Sequence, residues 1–406
     1  MLHDQVPALG FLSLPYYCLG TVFAGVCVFS LAVERLISVS KRSEILKRKS
    51  CVFVASLLVT FTPVEARMHL WYNSHLACSK NEHSSLLLSI VAVSSNTDTS
   101  QVERLQVSLN TLDEHARAHS LTSRVEVVLV EYNYDPGLPS LASMLILRDT
   151  MPLIRILRVT PEQHEYLVSK TGVAFKVKFL EYTGKNIGIR RACGEFLLVT
   201  NPDIILSESF FTYLSKFGLA NDTYYRIPRC NANVDAAALK LKRASEVQTA
   251  LQDTLDGNCW WSLPQPIPWS KYIRSEFITN TPLVGELWKE CIFAPGDFTL
   301  LSRAAYHRYR GYPEVALPTM LDDVIVWQAV ADGMKLVVLP KPTVTYHINH
   351  AKGYNTADER WAKSETMKRA YQLSEAGRRM MDRHKVEVFN DESWGLAHVP
   401  VMEVPF

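Results

Sequence analysis

Leu86 to Val93, LLLSIVAV, is an unbroken β-prone run, which suits a strand covered on both faces rather than one lying on a solvated surface. Ser94 to Asp98 supplies a turn. Val102, Leu105, Leu109 and Leu112 follow at spacings of three and four, the stripe of an amphipathic helix, and Val125 to Val130 forms the next strand, ending on Glu131. Strand, turn, helix, strand within about 45 residues is a βαβ unit, which implies a parallel sheet with right-handed crossovers. Ile154 to Val159 and Phe175 to Leu180 add strands, Ile187 to Cys193 a helix, and Phe196 to Thr200 a strand that stops on Asn201-Pro202-Asp203. The predicted fold class is α/β, with a Rossmann-like, mostly parallel central sheet and helices on both faces.

No charged residue occurs from Val6 to Val33. Leu9 to Val33, at about 1.5 Å per residue, is long enough to cross about 30 Å of hydrocarbon, so a transmembrane helix is expected there. Arg35, Lys41, Arg42, Lys47, Arg48 and Lys49 follow, and positive residues favour the cytosolic side. A second apolar run, Cys51 to Val64, is short for a span, and its reading stays open. It crosses, leaving everything after Arg67 outside the cytosol; or it lies in the interface or a core, leaving the globular part cytosolic; or Lys41 to Ala66 is signal-like, with Ala66 at the cleavage point. The expected organisation is a membrane anchor over 1–66, a stem over 67–85, a globular domain over 86–350 and a C-terminal helix and tail over 351–406. Asn221-Asp222-Thr223 is the only glycosylation sequon.

The chain's 406 residues, 48% of them hydrophobic, suffice for one large core together with such an anchor. A net charge of +2, from 43 basic against 41 acidic residues, gives no basic footprint, so nucleic acid is set aside as a partner. The eight cysteines form no CxxC pair and no regular spacing, which indicates neither a zinc site nor a disulfide scaffold. One isolated disulfide among Cys78, Cys193, Cys230, Cys259 and Cys291 is compatible with the pattern. Neither GxGxxG nor GxxxxGK[ST] occurs, which argues against dinucleotide and P-loop chemistry.

An open α/β sheet binds ligands beyond the carboxyl ends of its strands, and the strand ending at Thr200 delivers a carboxylate, Asp203, to that edge. Farther along, Ala236 to Leu251 is helical in pattern. Cys259 to Tyr272, with Trp260, Trp261 and Trp269 among three prolines, reads as a long loop whose aromatic faces suit either a sugar ring or plain core filling. Gly296-Asp297-Phe298 leads into the apolar stretch Thr299 to Leu301, then a helix from Arg303 and the turn Gly311-Tyr312-Pro313-Glu314. A helix over Met320 to Ala331 opens with Asp322-Asp323, Leu336 to Leu339 is a short strand, and Val344 to His350 carries His347 and His350. A charged amphipathic helix from Glu359 to about Lys385 closes the domain.

The order of these motifs carries a family resemblance. Asn186-Ile187-Gly188-Ile189-Arg190, with Ala192 and Gly194-Glu195, running into Asn201-Pro202-Asp203, resembles the stretch of family 2 glycosyltransferases in which an N-x-G segment precedes the DxD element. Gly296-Asp297-Phe298, Gly311-Tyr312-Pro313-Glu314, Asp322-Asp323 and Ala331-Asp332-Gly333 are similar to the acceptor-side half of the same family. The resemblance covers roughly 86–350 and implies a GT-A fold, with 86–206 holding the nucleotide and 207–350 the acceptor. It further implies a nucleotide-diphosphate sugar donor, a divalent metal (Mn2+ or Mg2+), and inversion at the anomeric carbon. The acceptor class stays open among glycan, lipid and protein, and a eukaryotic chain of this kind would reside in Golgi or endoplasmic reticulum membranes.

Departure of a nucleoside diphosphate calls for a hard cation held by oxygen ligands, and Asp203 offers one carboxylate. Where the family has its first acid this chain has Asn201, which weakens metal binding or moves that residue to the donor side, hydrogen-bonding ribose or sugar hydroxyls. By the resemblance His347 is a further ligand, with His350 the competing choice. Inversion needs a base on the acceptor hydroxyl; Asp323 is the candidate, with Asp322 orienting it, although two acids opening a helix also have a plain capping explanation. Asp297, Trp260 and Trp261 are expected on the acceptor side. Donor recognition is expected from Ser94 and Asn96 in the first exit loop, from Glu131, which stands where the resemblance places a nucleoside-contacting acid, and from Lys185, Asn186 and Arg190 beside a helix start that suits a diphosphate. Two other classes remain: a catalytically silent membrane protein on this scaffold, favoured by Asn201, and a nucleotidyltransferase, disfavoured because Ser94 to Asp98 lacks a Gly- and Lys-rich loop.

Overall fold

Every side chain of strand β1 (Leu88–Ser94) is buried in the computed structural model, as its apolar sequence requires. The structure describes residues 86–171, 178–256, 259, 295–317, 321–339, 342–350 and, except for 374 and 378, 372–404. The chain divides into two compact units, Met1–Leu76 and Ala77–Phe406. The expected membrane segments and the stem lie outside the described residues; among those described, no helix is long and apolar enough to cross a membrane.

β1 pairs in parallel with β2 (Val125–Tyr132) on one side and β4 (Phe196–Val199) on the other, and β2 pairs in parallel with β3 (Leu153–Val159). The resulting order β3-β2-β1-β4 is the Rossmann-like half predicted from the βαβ pattern. The sheet continues into the second half of the chain through three further strands: antiparallel β8 (Thr299–Ser302), then β6 (Thr223–Arg226) and β9 (Lys335–Val338), which pair in parallel with each other. The mostly parallel α/β sheet expected of a GT-A fold is therefore present. A smaller sheet of β5 (Ile204–Leu206), β10 (Thr345–Ile348) and β7 (Arg229–Ala232) stands beyond the end of β4.

Alternation along the strands sends residues to two cores. Val91 and Val93 face a cluster built with helices α3 (Glu181–Arg191), α6 (Arg303–Tyr309) and α7 (Leu321–Ala331). Ile90 and Ala92 face another that includes α1 (Thr99–Ala118) and α4 (Glu208–Phe217). Helix α2 (Pro161–Lys170) follows β3, and α5 (Ala244–Asp253) covers the smaller sheet with Val247 and Leu251.

Several elements differ from the sequence reading. Helix α3 begins at Glu181, six residues before the expected Ile187, because Gly184 and Gly188, weak helix formers in isolation, are needed for a close approach: a Cβ on Gly188 would lie 2.5 Å from Val91 Cγ1. The strand expected over Phe175 to Leu180 is absent at 178–180, which lead straight into α3; residues 172–177 lie outside the described set. The helical stretch 236–251 is two pieces, a turn at Ala236–Leu239 and α5, the second capped by Glu246, whose Oε2 accepts the Arg243 N–H at 3.1 Å. Of the closing helix, 372–373, 375–377 and 379–383 are described as helical. The tail beyond it is no loose end: β11 (Met402–Val404) adds to the sheet edge antiparallel to β3, and Arg191 binds the carbonyls of Gly395, Leu396 and Val399. Cys230 is disulfide-bonded to Cys259, and Cys193 is also disulfide-bonded.

Candidate active site

The backbone turns sharply after β4, with the Ile204 N–H donating to the Asn201 carbonyl at 3.3 Å, and this turn presents Asp203 at the carboxyl edge of the sheet. β10 lies antiparallel to β5, with His347 opposite Ile204, so His347 arrives beside Asp203. His350, just beyond β10, completes the cluster. His350 Nε2 lies 2.9 Å and His347 Nε2 3.5 Å from Asp203 Oδ2, and one ligand atom from each of the three residues falls within 4.8 Å of the others. Burial would raise the Asp203 carboxyl, but the hydrogen bonds and charge of His347 and His350 hold it well below the usual carboxylate range. Asp203 Oδ1 and His347 Nδ1 are buried with no hydrogen-bond partner among the described residues. Two imidazoles, a carboxylate and unspent lone pairs form a donor set that fits a divalent cation, and His350 opens it to solvent. Both histidines, rather than one of the two, belong to it.

Asn201 is turned to another task. Its Oδ1 accepts from Lys185 Nζ at 2.7 Å and its Nδ2 donates to Asp297 Oδ1 at 2.9 Å, so the amide is spent as a strut between a cation and an acid. Asp297 is fixed in turn by the Arg229 guanidinium on its other oxygen, and its carbonyl accepts from Thr200 Oγ1 at 2.7 Å. Lys185 is completely buried and holds Glu181 Oε1 at 2.6 Å and the Gly296 carbonyl at 3.4 Å. The Gly296 N–H then donates to Asp322 Oδ2 at 2.8 Å. One polar chain thus runs from the turn bearing Asp203 to the first turn of α7.

Asp322 and Asp323 open α7, yet they do more than cap it. Burial raises the Asp322 carboxyl, restrained by the Lys185 charge, the Gly296 N–H and the Tyr182 hydroxyl. Asp323 is half-buried; burial first and the neighbouring Asp322 second push its carboxyl up to about 7, with Arg226 opposing the rise. A carboxylate poised near neutrality suits proton abstraction.

Most of the expected donor contacts are corrected. Glu131 is fully buried with both oxygens taken, one by the Leu141 N–H at 2.6 Å and one by Arg158 Nε at 2.8 Å, so it anchors the loop after β2 instead of facing a nucleoside. Ser94 Oγ donates to Gln101 Oε1 at 3.0 Å, and Asn96 Nδ2 donates to the carbonyls of Asp135 and Pro139 at 2.9 and 3.2 Å; both are buried and shape the exit loops from within. Asn186 clamps the Gly311–Glu314 turn through the Tyr312 N–H at 2.8 Å and the Tyr312 carbonyl at 2.7 Å. Gly311, at φ +68°, is required there, because a Cβ would lie 2.1 Å from Asn186 Oδ1. Arg190 sits in the last turn of α3, not near its start, and stacks on Trp394 at 4.8 Å from the ring centroid. Lys185 is internal, as described above, and Asp297 braces Asn201 instead of meeting an acceptor. Trp260 and Trp261 lie outside the described residues. Arg229 and Tyr182 are site-side residues with no signal in the sequence, since their partners are 68 and 140 residues away.

No family model matches the sequence, and no curated protein matches it. Among solved structures the chain is similar to residues 1–349 of TarS from S. aureus, at 13% identity and a TM-score of 0.42 over 65% of this chain and 60% of that one. The same TarS fragment in complex with UDP-GlcNAc gives 13% identity and a TM-score of 0.39 over 66% and 60%. GalNAc-T7 with UDP, GalNAc and Mn2+ gives 14% and 0.38 over 68% and 45%. The chain thus matches about three fifths or less of the length of these proteins, and at such scores the likeness carries no weight in assigning chemistry to a residue.

Proposed function

We propose that this domain transfers a sugar from a nucleotide-diphosphate donor to an acceptor hydroxyl, with a divalent cation and inversion at the anomeric carbon. The observation that carries the reading is the joining of two unlike acidic centres by one polar chain: Asp203 with His347 and His350 at one end, Asp322 and Asp323 at the other. Asp203, His347 and His350 would hold the cation, and two imidazoles tilt that choice from magnesium toward manganese. Such an ion, when bound, neutralises charge building on a departing diphosphate. Asp323 takes the proton of the attacking hydroxyl; Asp322, pinned by Gly296 and Tyr182, holds the start of α7 in place and keeps its neighbour's proton affinity high. Lys185 locks the Asn201 amide and the Gly296 carbonyl, so both centres share one rigid floor.

The full chain, solubilised and supplied with a panel of sugar nucleotides and Mn2+ or Mg2+, is expected to release nucleoside diphosphate with at least one donor, and Asp203→Ala and Asp323→Asn to lose that release. Asn201, standing where family 2 enzymes have an acid, favours a second reading, a silent scaffold. Equal background rates in all three proteins across the panel would establish it.

A further inference from the structure

Asn221, in the sequon Asn221-Asp222-Thr223, is exposed on the turn between α4 and β6. That turn lies at the amino edge of the main sheet, because β6 starts at Thr223 and, through antiparallel β8, runs in the same direction as β4. Its contacts agree. Asn221 Nδ2 donates to Glu195 Oε1 at 3.3 Å, immediately before β4, and its carbonyl accepts from Ser302 Oγ at 3.3 Å, at the end of β8. Asp203 and its histidines stand beyond the other end of β4, so a bulky group on Asn221 points away from the candidate site.

A second observation concerns the compartment. Cys230 and Cys259 are joined, and Cys193 is disulfide-bonded as well; such bonds persist where the surroundings are oxidising and are rare in a reducing cytosol. There an exposed Asn-x-Thr meets the machinery that glycosylates it. We propose that Asn221 carries an N-linked glycan and that this domain lies on the lumenal or extracellular side of a membrane. In the transfer, Asn221 Nδ2 bonds to the anomeric carbon of a lipid-diphosphate-linked oligosaccharide. The carbon–oxygen bond to the diphosphate breaks, the lipid diphosphate leaves with the electron pair, and the amide gives up one proton. The remaining N–H can still donate to Glu195. Of the three sequence readings of Cys51 to Val64, this placement excludes the one that leaves the globular part cytosolic. It is independent of the transferase reading, which stands or falls on other residues.

The full chain expressed in eukaryotic cells and digested with peptide-N-glycosidase tests the assignment by gel mobility. Wild-type protein should shift once, to the position of Asn221→Gln and Thr223→Ala, neither of which should shift; Asn221→Gln changes an exposed residue and should fold normally. Without reductant, Cys193, Cys230 and Cys259 should resist alkylation. A wild-type chain that shows no shift overturns the proposal, whether or not its cysteines are protected, and a shift that persists in Asn221→Gln overturns it equally.

Discussion

Asp203 and Asp323 are the same chemical group in two surroundings, and their proton affinities move in opposite directions. Burial works against ionisation at both. At Asp203 two imidazoles outweigh it and keep the carboxylate charged; at Asp323 a second acid adds to it and lifts the carboxyl to about 7. Neighbours, not residue type, therefore divide the work: one acid is built to stay an anion beside a cation, the other to gain and lose a proton near neutrality.

Asp203→Ala breaks the first half of this comparison and has the largest expected effect, a fall in metal-dependent turnover of about 10³-fold or more together with loss of Mn2+ binding by titration. Asp323→Asn breaks the other half. Turnover should fall by about 10²-fold or more while Mn2+ affinity stays put, a split that separates base from ligand. The pH profile sharpens the contrast. Below about 7 Asp323 is protonated and cannot accept the hydroxyl proton, so the rate should fall as pH falls through 7; Asp322→Asn, by removing a repelling charge, should move that midpoint to lower pH.

Stability offers a further handle. The folded state holds the Asp323 proton up to about 7, whereas its ordinary value is 3.8, so this stabilising term is present at low pH and is lost as pH rises through 7. Allowing for partial exposure, Asp323→Asn should be more stable than wild type at pH 8 by about 1–2 kcal/mol in urea unfolding, and the two should converge near pH 4. Arg190→Ala, outside the pair, should have the smallest effect: about 1 kcal/mol of stability lost with its Trp394 contact, and no change in donor KM.

Much of this was legible in the sequence. The run at 86–93, the stripe at 102–112 and the strand ending on Asp203 report local periodicity, and local periodicity fixed the first half of the sheet. Asp203, His347, His350, Asp322 and Asp323 are visible as candidates in the sequence, because a strand end and a helix start are recognisable places for chemistry. What stayed hidden was which polar residues face outward. Glu131, Asn186 and Lys185 stand where a ligand contact was expected; Lys185 holds Glu181 one helical turn away, but each also binds a partner between 10 and 128 residues away, and no spacing rule reveals those distant pairings. The C-terminal strand was hidden for the same reason: Met402–Val404 carries a weak β pattern that makes sense only beside β3.

The central claim is that Asp203 and Asp323 serve one cleft. A crystal structure of the domain with Mn2+ and a nucleoside diphosphate, with anomalous scattering used to locate the metal, tests it most directly. The account predicts a manganese peak bounded by Asp203, His347 and His350, with the diphosphate on its open side and the Asp323 carboxylate facing the same cavity. A peak elsewhere, or an Asp323 carboxylate directed away from the bound diphosphate, would contradict it.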